Sequence, residues 1–129
     1  MNQPIYRVAI LGCRSRGSAA ARVYNAHPRT KVVGICDLVE DRLNKIGEEL
    51  GITARFTDLD EMIRHTEPDI VAIPTAPSLH APLALKVLEH GVNIEVEKPM
   101  GMDLIETDSV MRKAVEQNVQ VAVHHQWRL

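Results

Sequence analysis

Two short stretches carry residue types that could do chemistry together: the glycine turn Gly12-Cys13-Arg14-Ser15-Arg16-Gly17 and the tripeptide Glu97-Lys98-Pro99. A glycine turn between a strand and a helix lets the backbone approach a pyrophosphate, whose charge is then held by unpaired amides at the helix N-terminus. Gly12 and Gly17 stand at the first and third glycine positions of a dinucleotide fingerprint, and Asp37 lies 20 residues beyond Gly17. An acid there can accept both ribose hydroxyls of an adenosine and repels a 2′-phosphate, so the pattern favours NAD. The middle glycine is replaced by Arg14. Its side chain either crowds the pyrophosphate or turns outward to pair with a phosphate oxygen. Arg14 and Arg16 together could instead meet a 2′-phosphate, so NADP stays open. A tight strand-to-helix junction that binds nothing has the same residues.

Lys98 is the candidate catalytic residue. A lysine beside a nicotinamide can hydrogen-bond the substrate hydroxyl being oxidised and share in its proton transfer. Pro99 fixes the local backbone and is compatible with a cis bond. The plain alternative is a solvated lysine in a surface turn. His124 and His125 are consecutive at a strand end and must point to opposite faces, so one of them could reach a substrate. The six histidines and two cysteines show no zinc-ligand spacing, which argues against a metal site.

Positioning these groups requires strands that end where the motifs begin. Ile5 to Leu11 and Val32 to Cys36 are apolar runs that read as strands buried on both faces. Between them Ala20, Val23 and Tyr24 recur at helical spacing, closed by His27-Pro28. Val39, Leu43, Ile46 and Leu50 mark a second helix, with Gly51 placed as its left-handed cap. Arg55-Phe56 is a short third strand, and Asp58 with Glu61 caps a brief helix carrying Leu59, Met62 and Ile63. Ile70 to Ile73 is the fourth strand, Pro82 opens a helix running to about His90, and Ile94 to Val96 is the fifth strand. Leu104 to Gln117 is the last helix and Val119 to Val123 the sixth strand. Strands and helices alternating at this spacing imply an α/β, doubly wound parallel sheet. Right-handed crossovers then set the ends of strands one and four side by side at a ligand crevice. Glu95 interrupts the fifth strand, so it should pair with a cation or lie on a less covered face.

The 129 residues suit one domain, 1–129, of ordinary globular composition: 45% apolar, 25% charged, net charge −2. Charges of both signs are interspersed and aromatics are few, which gives no footprint for nucleic acid or an anionic membrane surface. The N-terminus lacks a basic start followed by an apolar run, so the cytoplasm is the expected location and Cys13 and Cys36 are expected to be reduced thiols.

These motifs, with Asp69 to Ile73, Thr75 to His80, Gly91 and His124-His125-Gln126-Trp127-Arg128, resemble the N-terminal domain of the glucose-fructose oxidoreductase/inositol dehydrogenase (Gfo/Idh/MocA) family over essentially the whole chain. The resemblance implies a Rossmann fold and an NAD(P)-dependent dehydrogenase acting on a sugar, cyclitol or related polyol. It implies that Lys98 lies against nicotinamide and substrate, and that the segment Thr75 to His80 borders the cofactor's ribose and pyrophosphate. The cofactor-binding candidates are therefore Gly12, Cys13, Arg14, Ser15, Arg16, Gly17, Asp37, Thr75, His80, Glu97, Lys98 and Pro99. For Thr75 to His80 the alternative is a helix start capped by Ser78, with His80 merely exposed. His124, His125 and Arg128 are the substrate-side candidates. Members of that family continue into a larger α+β domain that supplies the catalytic histidine, its neighbouring aspartate and most substrate contacts, and can form homo-oligomers. This chain stops at Leu129, so full turnover by these residues alone is not expected. A reading from another class is a standalone NAD(H)-binding module that signals through a partner. A coenzyme A domain is a third, disfavoured because Asp37 suits free ribose hydroxyls.

Overall fold

In the computed structural model, which describes residues 3–125, eleven elements alternate along the chain. They are β1 (Tyr6–Leu11), α1 (Ser15–Ala26), β2 (Thr30–Cys36), α2 (Glu40–Leu50), β3 (Arg55–Phe56) and α3 (Leu59–Thr66). Then follow β4 (Ile70–Ile73), α4 (Pro77–Leu88), β5 (Asn93–Glu97), α5 (Leu104–Gln117) and β6 (Val121–His124). The six strands form one parallel sheet in the order β3-β2-β1-β4-β5-β6. The order reverses between β1 and β4, so the loops after these two strands flank one crevice, as the alternation predicts.

Side-chain alternation divides the core between the two faces. Ala9, Leu11, Val71, Ile73, Ile94 and Val96 face α3, α4 and α5, where Met62, Val87, Leu88 and Val110 are fully buried. Val8, Ile10, Ile35 and Ala72 face α1 and α2 through Ala21, Leu43 and Ile46. Two helices cannot cover six strands, so the β5–β6 half of this second face stays open. Its groove, about 540 Å³, is bounded by Ala20, Val23 and Tyr24 of α1 and by Glu95, Ala122 and His124 of the sheet.

That open half sets the surroundings of Val23 and Glu95. Val23 is 68% exposed, because the residues of α1 that meet the sheet are Gly17 and Ala21. Among the described residues Glu95 pairs with no cation; it accepts a hydrogen bond from the Tyr24 hydroxyl at the edge of the groove. The less covered face is the explanation that holds.

Capping residues behave largely as their types dictate. Asp58 Oδ1 accepts from the Glu61 amide at 2.9 Å, and Gly51 ends α2 with φ +68°. The helix expected from Pro82 instead begins at Pro77, where a missing amide hydrogen is harmless. Pro82 lies inside α4, where it takes one donor out of the helical ladder. β6 starts at Val121 rather than Val119, because Asn118 ends α5 at φ 54° and the Val119 amide still bonds back to the Ala114 carbonyl.

Candidate functional site

The glycine turn is shaped by steric need at both ends. Gly12 has φ +112°, a conformation that L side chains rarely adopt, and a Cβ there would stand 2.9 Å from the Thr75 methyl. A Cβ on Gly17 would stand 1.8 Å from the Gly12 carbonyl oxygen, so helix and turn touch backbone to backbone. Arg14, in place of the middle glycine, has φ −71° and ψ −170°, an ordinary extended conformation, and its side chain is exposed. No glycine is needed there. No side chain caps α1 and its first turn carries no acid, which leaves those amides available to an anion.

Asp37 closes the other side of the turn. Its Oδ2 accepts from the Cys13 amide and its Oδ1 from the Val39 amide, each at 2.8 Å. Arg42 of α2 places a guanidinium nitrogen 3.5 Å from Oδ1, a neighbour the sequence reading missed. With the longer Arg42 contact counted as well, about one of four lone-pair sites remains for a ribose hydroxyl. Thr75 Oγ1, beside Gly12, is buried without a hydrogen-bond partner among the described residues. A cradle that any Cβ would fill, free helix amides and an unpaired hydroxyl fit a dinucleotide pyrophosphate.

Burial, and next the charge of Asp37, push the Cys13 thiol from an ordinary 9.0 up to about 12. Cys36 is raised to about 12 in the same way. The folded state therefore keeps protons that the unfolded state releases near pH 9. This contribution to stability is present below about pH 9 and is lost as pH rises toward 12. Each thiol should remove about 1.4 kcal/mol of stability per pH unit within that window. Urea unfolding at pH 8 and pH 10.5 checks this: a Cys13→Ser, Cys36→Ser chain should lose less between the two pH values than the unaltered chain. An equal loss in both would refute the assignment.

The other expected residues form two further groups. Glu97 is buried and pairs with Arg16 of α1 and with His124 Nδ1, the latter at 2.8 Å. Arg16 is thus engaged with β5, and Arg42 is the cation beside Asp37. Glu95 and Glu97 share the open face through the strand alternation, so the Glu97 carboxylate is turned to Arg16 and the His124 ring. Lys98 and Pro99 are exposed at the end of β5, joined by a cis peptide. Lys98 makes no side-chain hydrogen bond or ion pair among the described residues. His125 is exposed beyond β6, and Arg128 lies outside the described residues.

His80 departs furthest from expectation. It is 0% exposed, with Nδ1 2.6 Å from the Pro99 carbonyl oxygen and Nε2 2.8 Å from that of Thr75. It therefore neither lies on the surface nor reaches the crevice directly. Ser78 does not cap α4 either, since the cap position is Ala76. Among the described residues no three His, Cys, Asp or Glu side chains gather closely enough to hold a metal ion. No helix there is long and apolar enough to cross a membrane.

Sheet order, glycine turn and terminal acid define an α/β dinucleotide-binding domain. The chain belongs to the Gfo/Idh/MocA oxidoreductase family, described as an NAD-binding Rossmann fold, whose model matches residues 6–125. It is 32% identical over 114 residues to the scyllo-inositol 2-dehydrogenase (NAD(+)) of Bacillus subtilis strain 168, a match covering 88% of this chain and 33% of that protein. It is 29% identical over 111 residues to the 2,7-anhydro-N-acetylneuraminate hydratase of Mediterraneibacter gnavus, covering 86% of this chain and 29% of that one. The chain spans a third or less of the length of these relatives. An oxidoreductase from Agrobacterium radiobacter, solved with NAD+, L-tartaric acid and magnesium, shares the fold with a TM-score of 0.89 at 23% identity, over 95% of this chain and 36% of that chain.

Proposed function

We propose that this chain is the cofactor-binding domain of an NAD-dependent dehydrogenase that oxidises a hydroxyl of a sugar, cyclitol or related polyol. The observation that carries the reading is the link between Asp37 and the glycine turn: one carboxylate oxygen holds the Cys13 amide, so ribose recognition and the pyrophosphate cradle form one unit. The amides of the turn and of the first turn of α1 hold the pyrophosphate, and Thr75 Oγ1 adds a hydrogen bond. Asp37 accepts from an adenosine ribose hydroxyl. NAD, when bound, supplies the hydride acceptor. Lys98 holds the substrate hydroxyl and takes part in moving its proton. The cytoplasm is the proposed location. The dehydrogenase named above supports the polyol class. A relative named as a hydratase is similar over this same domain, so the net reaction is a property of the whole protein.

Calorimetric titration of the chain with NAD, NADP and coenzyme A tests this reading. NAD should bind, and Asp37→Ala should weaken it about 10- to 100-fold, the loss of one or two hydrogen bonds to a charged group. Heat from coenzyme A and none from NAD would remove the reading. A second reading, an NAD(H)-sensing module without turnover, is favoured by the exposed Val23 of α1 and Ala122 of β6 at the open groove, a surface available for association. Polyol oxidation by this protein would exclude it.

A further inference from the structure

The fully buried imidazole of His80 stands between the two loops that border the proposed nicotinamide end of the crevice. Nδ1 lies 2.6 Å from the Pro99 carbonyl oxygen, directly after Lys98, and Nε2 lies 2.8 Å from the Thr75 carbonyl oxygen. Carbonyl oxygens only accept, so each contact is a hydrogen bond when the ring nitrogen facing it carries a hydrogen. A buried polar ring is held in place by such bonds, because its alternative is an unpaired group without water. Thr75 in turn packs on Gly12, where no Cβ would fit. One ring therefore fixes how far the turn that bears Lys98 stands from the turn that cradles the pyrophosphate.

We propose that His80 is a positioning residue for Lys98: it bridges the loops after β4 and β5 and sets the lysine's place relative to the dinucleotide. Neither neighbouring element can do this alone. Lys98 has no side-chain partner among the described residues, and Pro99 is exposed. Among the described residues, the Pro99 carbonyl that follows the lysine is met by His80 of α4. The inference rests on the reading of Lys98 given above, and the experiment separates failure of one from failure of the other.

In a form of the protein that turns over, His80→Gln keeps one amide donor and His80→Phe keeps only ring volume. Both should lower kcat, by about 10- to 100-fold for a misplaced reacting group, while KM for NAD stays within about threefold. Affinity for ADP-ribose, which lacks the nicotinamide, should be unchanged. Added to Lys98→Ala, the same substitutions should lower kcat less than about twofold further, because the group they position is gone. If Lys98→Ala alone leaves kcat at the wild-type value, the reading of the site fails. If Lys98→Ala lowers kcat and His80→Gln lowers it equally in both backgrounds, the lysine stands and the positioning role is overturned.

A measurement on the unaltered chain covers the case in which neither variant folds. With nitrogen-15 in the histidine ring, at least one His80 nitrogen should appear as a hydrogen-bonded N–H whose proton exchanges slowly. Rapid exchange of every His80 ring proton would overturn the bridge.

Discussion

Gly17→Ala should abolish measurable NAD binding. The added Cβ would stand 1.8 Å from the Gly12 carbonyl oxygen, a backbone atom that can retreat only if the turn opens. Opening it moves the Cys13 amide from Asp37 and withdraws the amides at the start of α1 from the pyrophosphate position. Losing about two hydrogen bonds to a charged group is worth about 3 kcal/mol or more, a fall in affinity of about 100-fold at least. Stability should fall with it by about 1–3 kcal/mol, the range for forcing an extra carbon into packed structure. Gly51→Ala is the control. Gly51 also has positive φ, +68°, but nothing lies within 4 Å of its Cβ position. That change should cost about 1–2 kcal/mol from backbone conformation and leave NAD affinity alone. Calorimetry and urea unfolding on both variants give the comparison. Retention of NAD affinity by Gly17→Ala within threefold would show that the turn does not hold the pyrophosphate.

The parts of this site that are legible in the sequence are those whose reason is local. Gly12 and Gly17 announce a backbone contact, Asp37 ends an apolar run, and the alternation of strands with helices leaves one common topology. Glu95 was legible as an anomaly. Which face it took was not, because that depends on α1 and α2 covering only part of the sheet. Arg42 was missed because its approach to Asp37 is set by where α2 starts, and a residue five positions from an acid has no fixed geometry until that start is known. The Arg16–Glu97–His124 cluster joins three elements, and its members lie next to one another only after β5 and β6 pair with Glu97 opposite His124. His80 was misread for a similar reason. A polar residue in the first turns of a helix is usually solvated, and its burial comes from a loop 19 residues later folding over it.

Lys98→Ala should separate chemistry from cofactor binding. Both strand residues before the lysine, Val96 and Glu97, are buried, and the chain emerges at Lys98 on the carboxyl edge of the sheet, where the crevice lies. The pyrophosphate and adenosine contacts proposed above are made by other residues, at the ends of β1, β2 and β4. Removing the amine should therefore leave KM for NAD within about threefold and lower kcat by about 10²- to 10⁴-fold, the usual range for a positioned proton-transfer group. Lys98→Arg distinguishes charge from proton transfer. A guanidinium keeps the positive charge but does not release a proton at any working pH, so it should recover little of the lost rate if the amine moves a proton. Recovery of most of the rate by arginine would mean that the cation only orients the substrate oxygen. An unchanged kcat in Lys98→Ala would remove the lysine from the mechanism, and the proposed role of His80 would fall with it.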